Sequence, residues 1–562
     1  MERFWTNNYP KGVDKEIDLT STDTLNDLFD RVCQKYPNNR ALTSHNETLT
    51  FLDTEKYVRN LTANLAKLGV KKGDRIAIIM PNLIQYPLSI FAVFKLGAIV
   101  VNINPLYTAS EIDYLLDNSG AKVIITLDLI ANKLNDLYSK HSLQHVIVTK
   151  IPDLYSLPKQ ILMNFAIKYI KKMKADYNYP AVSYSELLKP IDSFDLTTVD
   201  EITPYDLAFI QYTGATTGKP KGVMLSHYNI VANLSQINAW LKPQIPNLES
   251  QVAIDALPLY HIFSLTANLL TFFFHGSENV MILNPRDVKD LVKTLVKTPF
   301  TIFSALDTLY NHLLNSKEFR THKYPHFKYS VAGGMPMRNS VAEEWFKLTN
   351  VMPSNCYGLS ESSPAVTLNP LDNSFDGSVG FPVPELDLEI RDLKTKMVLP
   401  PGEIGAIWIK GPQITSGYWQ NIEQTKLAID DNGWLNTHDL GYLTVPGKLF
   451  LSGRESEMII VSGFDVYPTE VEAVLNSFAE IKESAVIGIA DEKSGERVVA
   501  VVSLKNDGSI TPDEIIQRCK KHLAGYKSPH YVYIKNELPK TLVGKIDKNV
   551  LKQDNKIKNE VK

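Results

Sequence analysis

Between Leu49 and Thr149, short continuous apolar runs alternate with longer amphipathic stretches. The short runs, such as IAIIM and VIIT, show no polar alternation, as parallel strands covered on both faces require. The longer stretches include Leu83–Leu96 and Ala109–Asn118. This order predicts βαβ units and a twisted, largely parallel sheet. The predicted strands are Arg75–Met80, Ala98–Ile103, Lys122–Leu127 and His145–Thr149.

The rest of the chain predicts three further structural regions. Runs between Ala253 and Met352 predict a second α/β sheet, with strands at Val280–Leu283, Thr301–Ser304 and Tyr329–Ala332. Frequent glycine and proline between short strands predict a β-rich subdomain at about 377–450. From about Gly453 we expect a small domain of its own, with strands Glu483–Ile489 and Val498–Leu504 and helices Pro468–Asn476 and Thr511–Leu523. The expected fold class is α/β, with domains at 1–452 and 453–562.

Composition narrows the function classes. Hydrophobic residues make up 44% and charged residues 22%, and the formal net charge of −3 is ordinary for a globular protein. Without a basic excess, no nucleic-acid partner is predicted. The three cysteines, Cys33, Cys356 and Cys519, suit neither a disulfide framework nor a spaced zinc site, which favours a reducing cytoplasm. Met1–Lys15 lacks a basic region followed by an apolar run, so no secretory signal is expected.

Two stretches bear on membrane contact. Ala256–Ser277 contains no Lys, Arg, Asp or Glu and is long enough to cross a bilayer, but Pro258 and His261 interrupt it. We therefore interpret it as a buried segment that lines something apolar. Pro158–Tyr177, placed on a helix, has lysines opposite an apolar face. A helix packed on its own domain and a helix lying on an anionic membrane surface both remain open.

The stretch that carries most chemistry is Tyr212–Gly222, YTGATTGKPKG, which follows an apolar run. Its threonine hydroxyls, glycines and lysines are suited to wrapping a polyphosphate. It is not a Walker A loop, because Pro220 follows Lys219 where Ser or Thr would hold magnesium. The alternative is a flexible glycine-rich loop without a ligand.

This loop resembles the phosphate-binding signature of the adenylate-forming superfamily, which includes acyl-CoA synthetases, firefly-type luciferases and peptide-synthetase adenylation domains. Further superfamily motifs are matched in order by AGGMP (Ala332–Pro336), YGLSE (Tyr357–Glu361), GWLNTHD (Gly433–Asp439), GRESEMIIVSGFDVYPTEVE (Gly453–Glu472) and PKTLVGK (Pro539–Lys545). The segments that resemble bacterial long-chain fatty acyl-CoA synthetases in particular are Met80–Thr108, Leu257–Phe263, Asn284–Asp287 and the basic helix.

The resemblance implies a long-chain fatty acid:CoA ligase that uses ATP and Mg²⁺. Such an enzyme forms an acyl-adenylate, releases pyrophosphate and transfers the acyl group to coenzyme A. It also implies a mobile C-terminal domain, peripheral membrane contact through 158–177 and a homodimer. An acyl-AMP ligase that loads a carrier protein and a degenerate nucleotide- or lipid-binding homologue are the alternatives.

The resemblance also assigns site residues. Lys545 would bridge the acyl carboxylate and the α-phosphate, with Glu361 and His261 as further catalytic residues. Glu361 and Thr213 would hold Mg²⁺, and Asp439 would accept hydrogen bonds from the ribose hydroxyls. The residues predicted to bind ATP and coenzyme A are Thr213, Gly214, Thr216, Thr217, Gly218, Lys221, Gly333, Gly334, Tyr357, Gly358, Ser360, Asp439, Arg454, Ser462, Gly463 and Phe464.

The sequence departs from the family pattern while keeping its charged residues. Glu361, Asp439, Arg454 and Lys545 are all present, which favours an active enzyme. The uncharged IFSLTANLLTFFF stretch after His261 is the expected lining of the acyl tunnel. The departures are Ala215, Ala332 and Cys356, His438 and Gly453, Glu455 and Ser456, and Lys548. Altered ATP affinity or domain rotation is the expected consequence of these replacements.

Overall fold

A computed structural model describes residues 3–19, 23–45, 47–165, 176–191, 199–213, 219–491, 494–505, 509–541 and 544–557. Within these ranges the strands form four sheets. Two are largely parallel and belong to a large N-terminal domain, which also carries an antiparallel sheet. The fourth belongs to a small C-terminal domain. The predicted α/β class is therefore confirmed.

The first sheet contains the predicted βαβ units. Its strands run in the order Val182–Ser183, His145–Thr149, Val123–Leu127, Arg75–Ile79, Ile99–Asn102, Leu207–Tyr212 and Gly222–Ser226. All neighbouring pairs are parallel except the last, which is antiparallel. Residues 213–221 connect that antiparallel pair, so the ends of the predicted phosphate loop are fixed by the edge of this sheet.

The second sheet is parallel in its centre and antiparallel at both edges. Its order is Phe381–Pro382, Ala365–Leu368, Pro353–Gly358, Tyr329–Ala332, Ile302–Ala305, Val252–Asp255, Glu278–Met281, Arg40–Ser44 and Glu47–Thr50. The third sheet is antiparallel and consists of Asp387–Arg391, Gly405–Lys410, Leu435–Leu443 and Leu449–Arg454.

The α-helices of the N-terminal domain begin at side-chain caps where the sequence supplies them. Thr50, Thr108 and Ser226 each accept a hydrogen bond from the backbone of the third helical residue, whose side chain caps in return. The described helices are Leu25–Lys35, Phe51–Lys67, Gln85–Lys95, Ala109–Ser119, Asn135–Lys140, Leu157–Phe165, Tyr184–Leu187, His227–Leu241, Thr271–Phe274, Val288–Lys297, Asp307–Leu314, Lys317–Thr321, Asn339–Thr349 and Ile422–Ala428.

The uncharged stretch Ala256–Ser277 lies largely in the interior, as predicted. It contains a π-helix, Phe263–Leu270, followed by the α-helical turn Thr271–Phe274. Leu265, Leu269 and Phe273 are completely buried. Among the described residues, no helix is both long and apolar enough to cross a membrane.

The basic segment 158–177 is described only in part. Its helix begins one residue earlier and is described over Leu157–Phe165, while 166–175 lie outside the described residues. Leu157, Ile161, Leu162 and Phe165 are 73%, 70%, 69% and 55% exposed. The described part of the apolar face is therefore exposed, and both readings of the segment stay predictions.

The C-terminal domain has a mixed sheet and its own apolar core. The strands run in the order Phe464–Val466, Ile459–Val461, Gly495–Leu504 and Ile481–Asp491, and Tyr531–Ile534 pairs parallel with Gly495–Leu504. The helices are Pro468–Asn476, Pro512–Cys519 and Lys548–Gln553. The helix predicted at Thr511–Leu523 is shorter, because Thr511 is its N-cap and Lys520 its C-cap.

Candidate active site

Asp439 lies at the centre of the candidate site. It is on the strand Leu435–Leu443, directly opposite Arg454 on the neighbouring strand, and the Arg454 Nε lies 3.2 Å from its Oδ1. The Tyr357 hydroxyl donates to Asp439 Oδ2 at 2.6 Å. Burial and then the Asp439 charge raise the pKa of Tyr357, and the Asp439 charge raises the pKa of Arg454. Three residues predicted from separate motifs thus meet here.

Lys545 reaches this group from the C-terminal domain. Its loop is held by Thr541, whose backbone N–H donates to the Lys545 carbonyl at 2.7 Å. Burial and then the nearby Arg454 charge lower the pKa of Lys545. Burial and the charge of Lys545 lower the pKa of His261 to about 4. Lys545 therefore lies close enough to Arg454 and His261 for these charges to shift the pKa values of Lys545 and His261.

Glu361 and the ends of the phosphate loop meet around Tyr418. The Tyr418 hydroxyl donates to Glu361 Oε1 at 2.9 Å, and the Lys221 Nζ lies 4.6 Å from the centre of the Tyr418 ring. Lys221 also donates to Gln424 Oε1 at 3.3 Å, and its carbonyl accepts from the Thr213 backbone N–H at 3.0 Å. Gly214, Ala215, Thr216, Thr217 and Gly218 lie outside the described residues.

Tyr418 and Gln424 are site residues that the sequence analysis missed. Burial and the Glu361 charge raise the pKa of Tyr418, so its hydroxyl stays a proton donor to that carboxylate. The segment that carries Tyr418 lies along the strand after the phosphate loop, where the Trp419 N–H donates to the Gly222 carbonyl at 2.7 Å. The sequence signal for them is the glycine-tyrosine pair in TSGYWQN, which lies in the region predicted to be β-rich.

Three of the predicted glycines, Gly333, Gly334 and Gly358, lie where a side chain would not fit. A Cβ on Gly333 would be 2.7 Å from the Cys356 Sγ, and one on Gly358 would be 2.0 Å from the Pro364 carbonyl oxygen. Gly334 has φ +75°. Cys356, which replaces a family glycine, therefore packs against the bare backbone of Gly333. Ser360 begins the 3₁₀ turn Ser360–Ser362, and in that turn the Glu361 carbonyl accepts from the Thr415 N–H at 2.8 Å.

Two other departures from the family pattern, His438 and Lys548, lie beside acidic side chains. His438 adopts φ +57°, a left-handed conformation more common for glycine, and its Nδ1 lies 3.4 Å from Glu455 Oε2. The Lys548 Nζ lies 2.7 Å from Glu457 Oε2 and 2.9 Å from Glu472 Oε1. Lys548 therefore ties the helix after the Lys545 loop to the segment after the hinge.

The predicted pantetheine-contacting residues lie apart from this group. Ser462 and Gly463 form the turn between Ile459–Val461 and Phe464–Val466, with φ +50° and +86°. Phe464 is 57% exposed and stacks on Tyr526 with ring centres 4.9 Å apart. The Ser462 N–H donates to the Ser494 carbonyl at 2.7 Å. Ser462 and Phe464 thus make these contacts within the C-terminal domain.

The expected acyl tunnel lining starts beside the adenine-side glycines. The Phe263 ring lies 3.0 Å from where a Gly333 Cβ would be. The π-helix that begins at Phe263 packs on the second sheet through Asn268, which donates to buried Asp255 and accepts from the Ser304 hydroxyl at 2.9 Å. This places an apolar helical wall next to the predicted nucleotide site.

Comparison with known proteins shows the family of the chain. Residues 29–419 match the family of AMP-binding enzymes, and 470–545 match the C-terminal domain of AMP-binding enzymes. A long-chain-fatty-acid–CoA ligase of Salmonella typhimurium is 42% identical, covering 99% of this chain and 98% of that protein. One of Bacillus subtilis is 34% identical, covering 97% of each chain. ATP-bound MatB from Rhodopseudomonas palustris superposes with a TM-score of 0.80 at 26% identity, covering 96% of this chain and 100% of that one.

Proposed function

The chain belongs to the AMP-binding enzyme family, and we infer that it is an AMP-forming ligase that joins long-chain fatty acids to coenzyme A. Curated relatives with that activity in their names match it from end to end. The observation that carries the proposal is the contact of Asp439 with Tyr357 and Arg454, near which Lys545 is buried close enough for the Arg454 charge to lower its pKa. ATP, a fatty acid and coenzyme A are the substrates.

We propose that Lys545 acts in the first half-reaction. The fatty acid carboxylate must approach an α-phosphate that already carries negative charge, so cations are needed at the reacting oxygens. Lys545 and Arg454 supply two positive charges that are close enough to interact. Burial and then the Arg454 charge lower the pKa of Lys545, and an incoming pair of anions would favour its protonated form. The boundary between the domains is proposed at 452/453, two residues before the end of the strand Leu449–Arg454.

Asp439 and Tyr357 are proposed to hold the nucleoside. A carboxylate only accepts hydrogen bonds, and its two oxygens offer about four acceptor positions. Tyr357 and Arg454 use one position on each oxygen, which leaves acceptor capacity for ribose hydroxyls. The Tyr357 ring would lie against the adenine, whose approach is allowed by the bare backbone of Gly333 and Gly334.

Glu361 and Thr213 are the proposed Mg²⁺ ligands. In the described part of the chain, no three His, Cys, Asp or Glu side chains form a cluster that could hold a metal ion. Proteins commonly bind Mg²⁺ through one or two carboxylates together with substrate phosphates, which is the kind of site proposed here. The ion would neutralise phosphate charge. The chain's own contribution is the Tyr418 hydroxyl, which holds the Glu361 carboxylate by a hydrogen bond.

The second half-reaction is proposed to need rotation of the C-terminal domain. Lys545 would withdraw, and the exposed turn of Ser462, Gly463 and Phe464 would face the pantetheine arm of coenzyme A. The turn is accessible for this role because Phe464 is mostly exposed. Such a rotation also limits the access of water to a hydrolysable adenylate.

The acyl chain is proposed to lie along the π-helix Phe263–Leu270, with its carboxylate near His261. Each buried methylene contributes about 0.8 kcal/mol, so an apolar wall of this length favours long chains. Neighbouring chain lengths are separated only weakly by such a wall. The low pKa of His261 keeps its ring neutral, so it can take part in hydrogen bonds without adding charge.

Peripheral membrane contact through Leu157–Phe165 is a separate proposal. The exposed side chains Ile161 and Leu162 are suited to entering the interface of an anionic bilayer. Flotation with vesicles of phosphatidylglycerol should be weakened by Leu162→Glu and unaffected by Leu427→Glu, an equally exposed leucine elsewhere. Equal flotation of both variants would contradict this contact. On resemblance alone we also propose a homodimer, which light scattering tests.

The activity can be tested in two stages with palmitate, ATP and Mg²⁺. Without coenzyme A we expect bound palmitoyl-adenylate and one pyrophosphate, both detected by mass spectrometry. Added coenzyme A should convert the adenylate to palmitoyl-CoA and AMP. Glu361→Gln should abolish the first stage, whereas Glu423→Gln, an exposed glutamate, should not. An adenylate that coenzyme A does not consume would indicate carrier loading, and ATP binding without pyrophosphate would indicate a binding homologue.

A further inference from the structure

One side chain of the N-terminal domain forms a hydrogen bond across the domain interface. The Arg338 Nη1 donates to the Lys482 carbonyl at 2.7 Å, and Lys482 belongs to the C-terminal strand Ile481–Asp491. The other side of the same guanidinium faces Asp307, with Nε 2.8 Å and Nη2 2.6 Å from Oδ2. Arg338 therefore bridges a carboxylate of one domain and a backbone carbonyl of the other.

Asp307 holds Arg338 in a fixed orientation. Its side chain is 3% exposed, and its Oδ1 accepts from the Arg338 backbone N–H at 3.0 Å. Two carboxylate oxygens thus engage the main chain and the side chain of one residue. A planar guanidinium bound in this way keeps its remaining N–H groups pointed in one direction, here towards Lys482.

The same interface contacts the loop that carries Lys545. Thr308, next to Asp307, lies so close to Gly544 that a Cβ there would be 3.3 Å from its hydroxyl. Glu483, next to Lys482, lies 2.8 Å from the Lys540 Nζ at the start of that loop. Burial and then the nearby Lys540 charge lower the pKa of His312, which lies on the same helix as Asp307. The Arg338 hydrogen bond is therefore part of a contact surface between the domains that extends to Gly544, the residue before Lys545.

We propose that Arg338, oriented by Asp307, is a positioning residue that holds the C-terminal domain in the arrangement for adenylation and must release Lys482 before thioester formation. This inference rests on the proposed two-step function. Neither Arg338 nor Asp307 is placed in contact with the reacting atoms, so their effect is on the balance between the two domain arrangements.

That balance gives a quantity that can be measured. If the adenylating and thioester-forming arrangements exchange, each half-reaction rate is proportional to the fraction of enzyme in its arrangement. The ratio of the two rates then changes by the same factor as the equilibrium between the arrangements. Loss of a hydrogen bond made by a charged group corresponds to about a tenfold change in such an equilibrium.

The test uses Arg338→Lys, which keeps a positive charge beside buried Asp307 but cannot span to Lys482. Arg338→Met is the more severe variant. The matched control is Arg320→Lys, because Arg320 Nη1 similarly bridges Glu344 at 2.6 Å and the Leu314 carbonyl at 2.9 Å, all within the N-terminal domain. Palmitate-dependent pyrophosphate release gives the first rate. Acyl-CoA formation from synthetic palmitoyl-adenylate gives the second.

We expect the ratio of the first rate to the second to fall about tenfold in Arg338→Lys and to stay within about twofold in Arg320→Lys. Spin labels carried by p-acetylphenylalanine at exposed positions 347 and 505, one in each domain, should show a second distance population in Arg338→Lys. An unchanged ratio with an unchanged distance distribution would overturn the proposal. Absence of any pyrophosphate release in the wild type would refute the ligase function, and the distances would still decide the role of Arg338.

Discussion

Replacing Asp255 by asparagine should stabilise the protein, by an amount that increases with pH. Asp255 ends the strand Val252–Asp255 and is completely buried, where it accepts a hydrogen bond from Asn268. Burial raises its pKa to about 8, against an ordinary value of 3.8. The carboxyl is therefore uncharged in the folded protein at neutral pH, and the nearly isosteric amide keeps an oxygen to accept from Asn268.

The sign and size of the effect follow from proton binding. Below about pH 4 both the folded and the unfolded chain hold the Asp255 proton. Between about pH 4 and pH 8 the unfolded chain releases it and the folded chain does not, so stability decreases as pH rises. The slope is about 1.4 kcal/mol per pH unit for one proton. Because asparagine does not titrate, the stability of the variant relative to wild type should grow by about 2.7 kcal/mol between pH 5 and pH 7.

Urea unfolding followed by tryptophan fluorescence measures this difference. All six tryptophans precede Gly453, so the signal reports on the domain that contains Asp255. Other titrating groups cancel when the variant is compared with wild type at each pH. Asp117→Asn, the same substitution at an exposed position, is the matched control. Parallel stability curves for Asp255→Asn and wild type would refute the assignment of a neutral buried carboxyl.

Three further predictions concern the candidate site. Lys545→Ala should lower pyrophosphate release more than about 100-fold, because removing a charge that stabilises a transition state costs about this much. Acyl-CoA formation from synthetic adenylate should be retained. Retained pyrophosphate release would show the lysine assignment to be wrong. Tyr357→Phe should raise the KM for ATP about tenfold by removing the donor that orients Asp439, and an unchanged KM in steady-state kinetics would argue against that role. Gly453→Asp should lower the ratio of adenylation to thioester formation, because Gly453 has φ +126° in this arrangement, and equal slowing of both half-reactions would contradict it.

Much of the fold could be predicted from local pattern. The strand His145–Thr149 is found with the predicted bounds. The predicted strand Arg75–Met80 extends one residue beyond the observed strand, which ends at Ile79. Continuous apolar runs identify such strands because both faces of a parallel sheet are covered. The π-helix could not be predicted, since the spacing of apolar residues in Phe263–Leu270 does not distinguish it from an α-helix.

The candidate site was predicted where motifs supply charged residues and missed where distant segments meet. Asp439, Arg454 and Lys545 each lie in a recognisable motif. Tyr418 contacts Lys221 from nearly two hundred positions along the chain, and no local pattern carries that contact. Lys548 was identified only as a departure from arginine, whereas the structure shows two carboxylates, Glu457 and Glu472, that accommodate it.

The most direct test of the central claim is a chain-length series of fatty acids, from hexanoate to stearate, with ATP, Mg²⁺ and coenzyme A. Acyl-CoA is quantified by mass, and kcat/KM is determined for each acid. Formation of acyl-CoA with kcat/KM that increases towards the long acids is the predicted result. Turnover confined to the shortest acids, or no acyl-CoA from any of them, would contradict a long-chain fatty acid–CoA ligase.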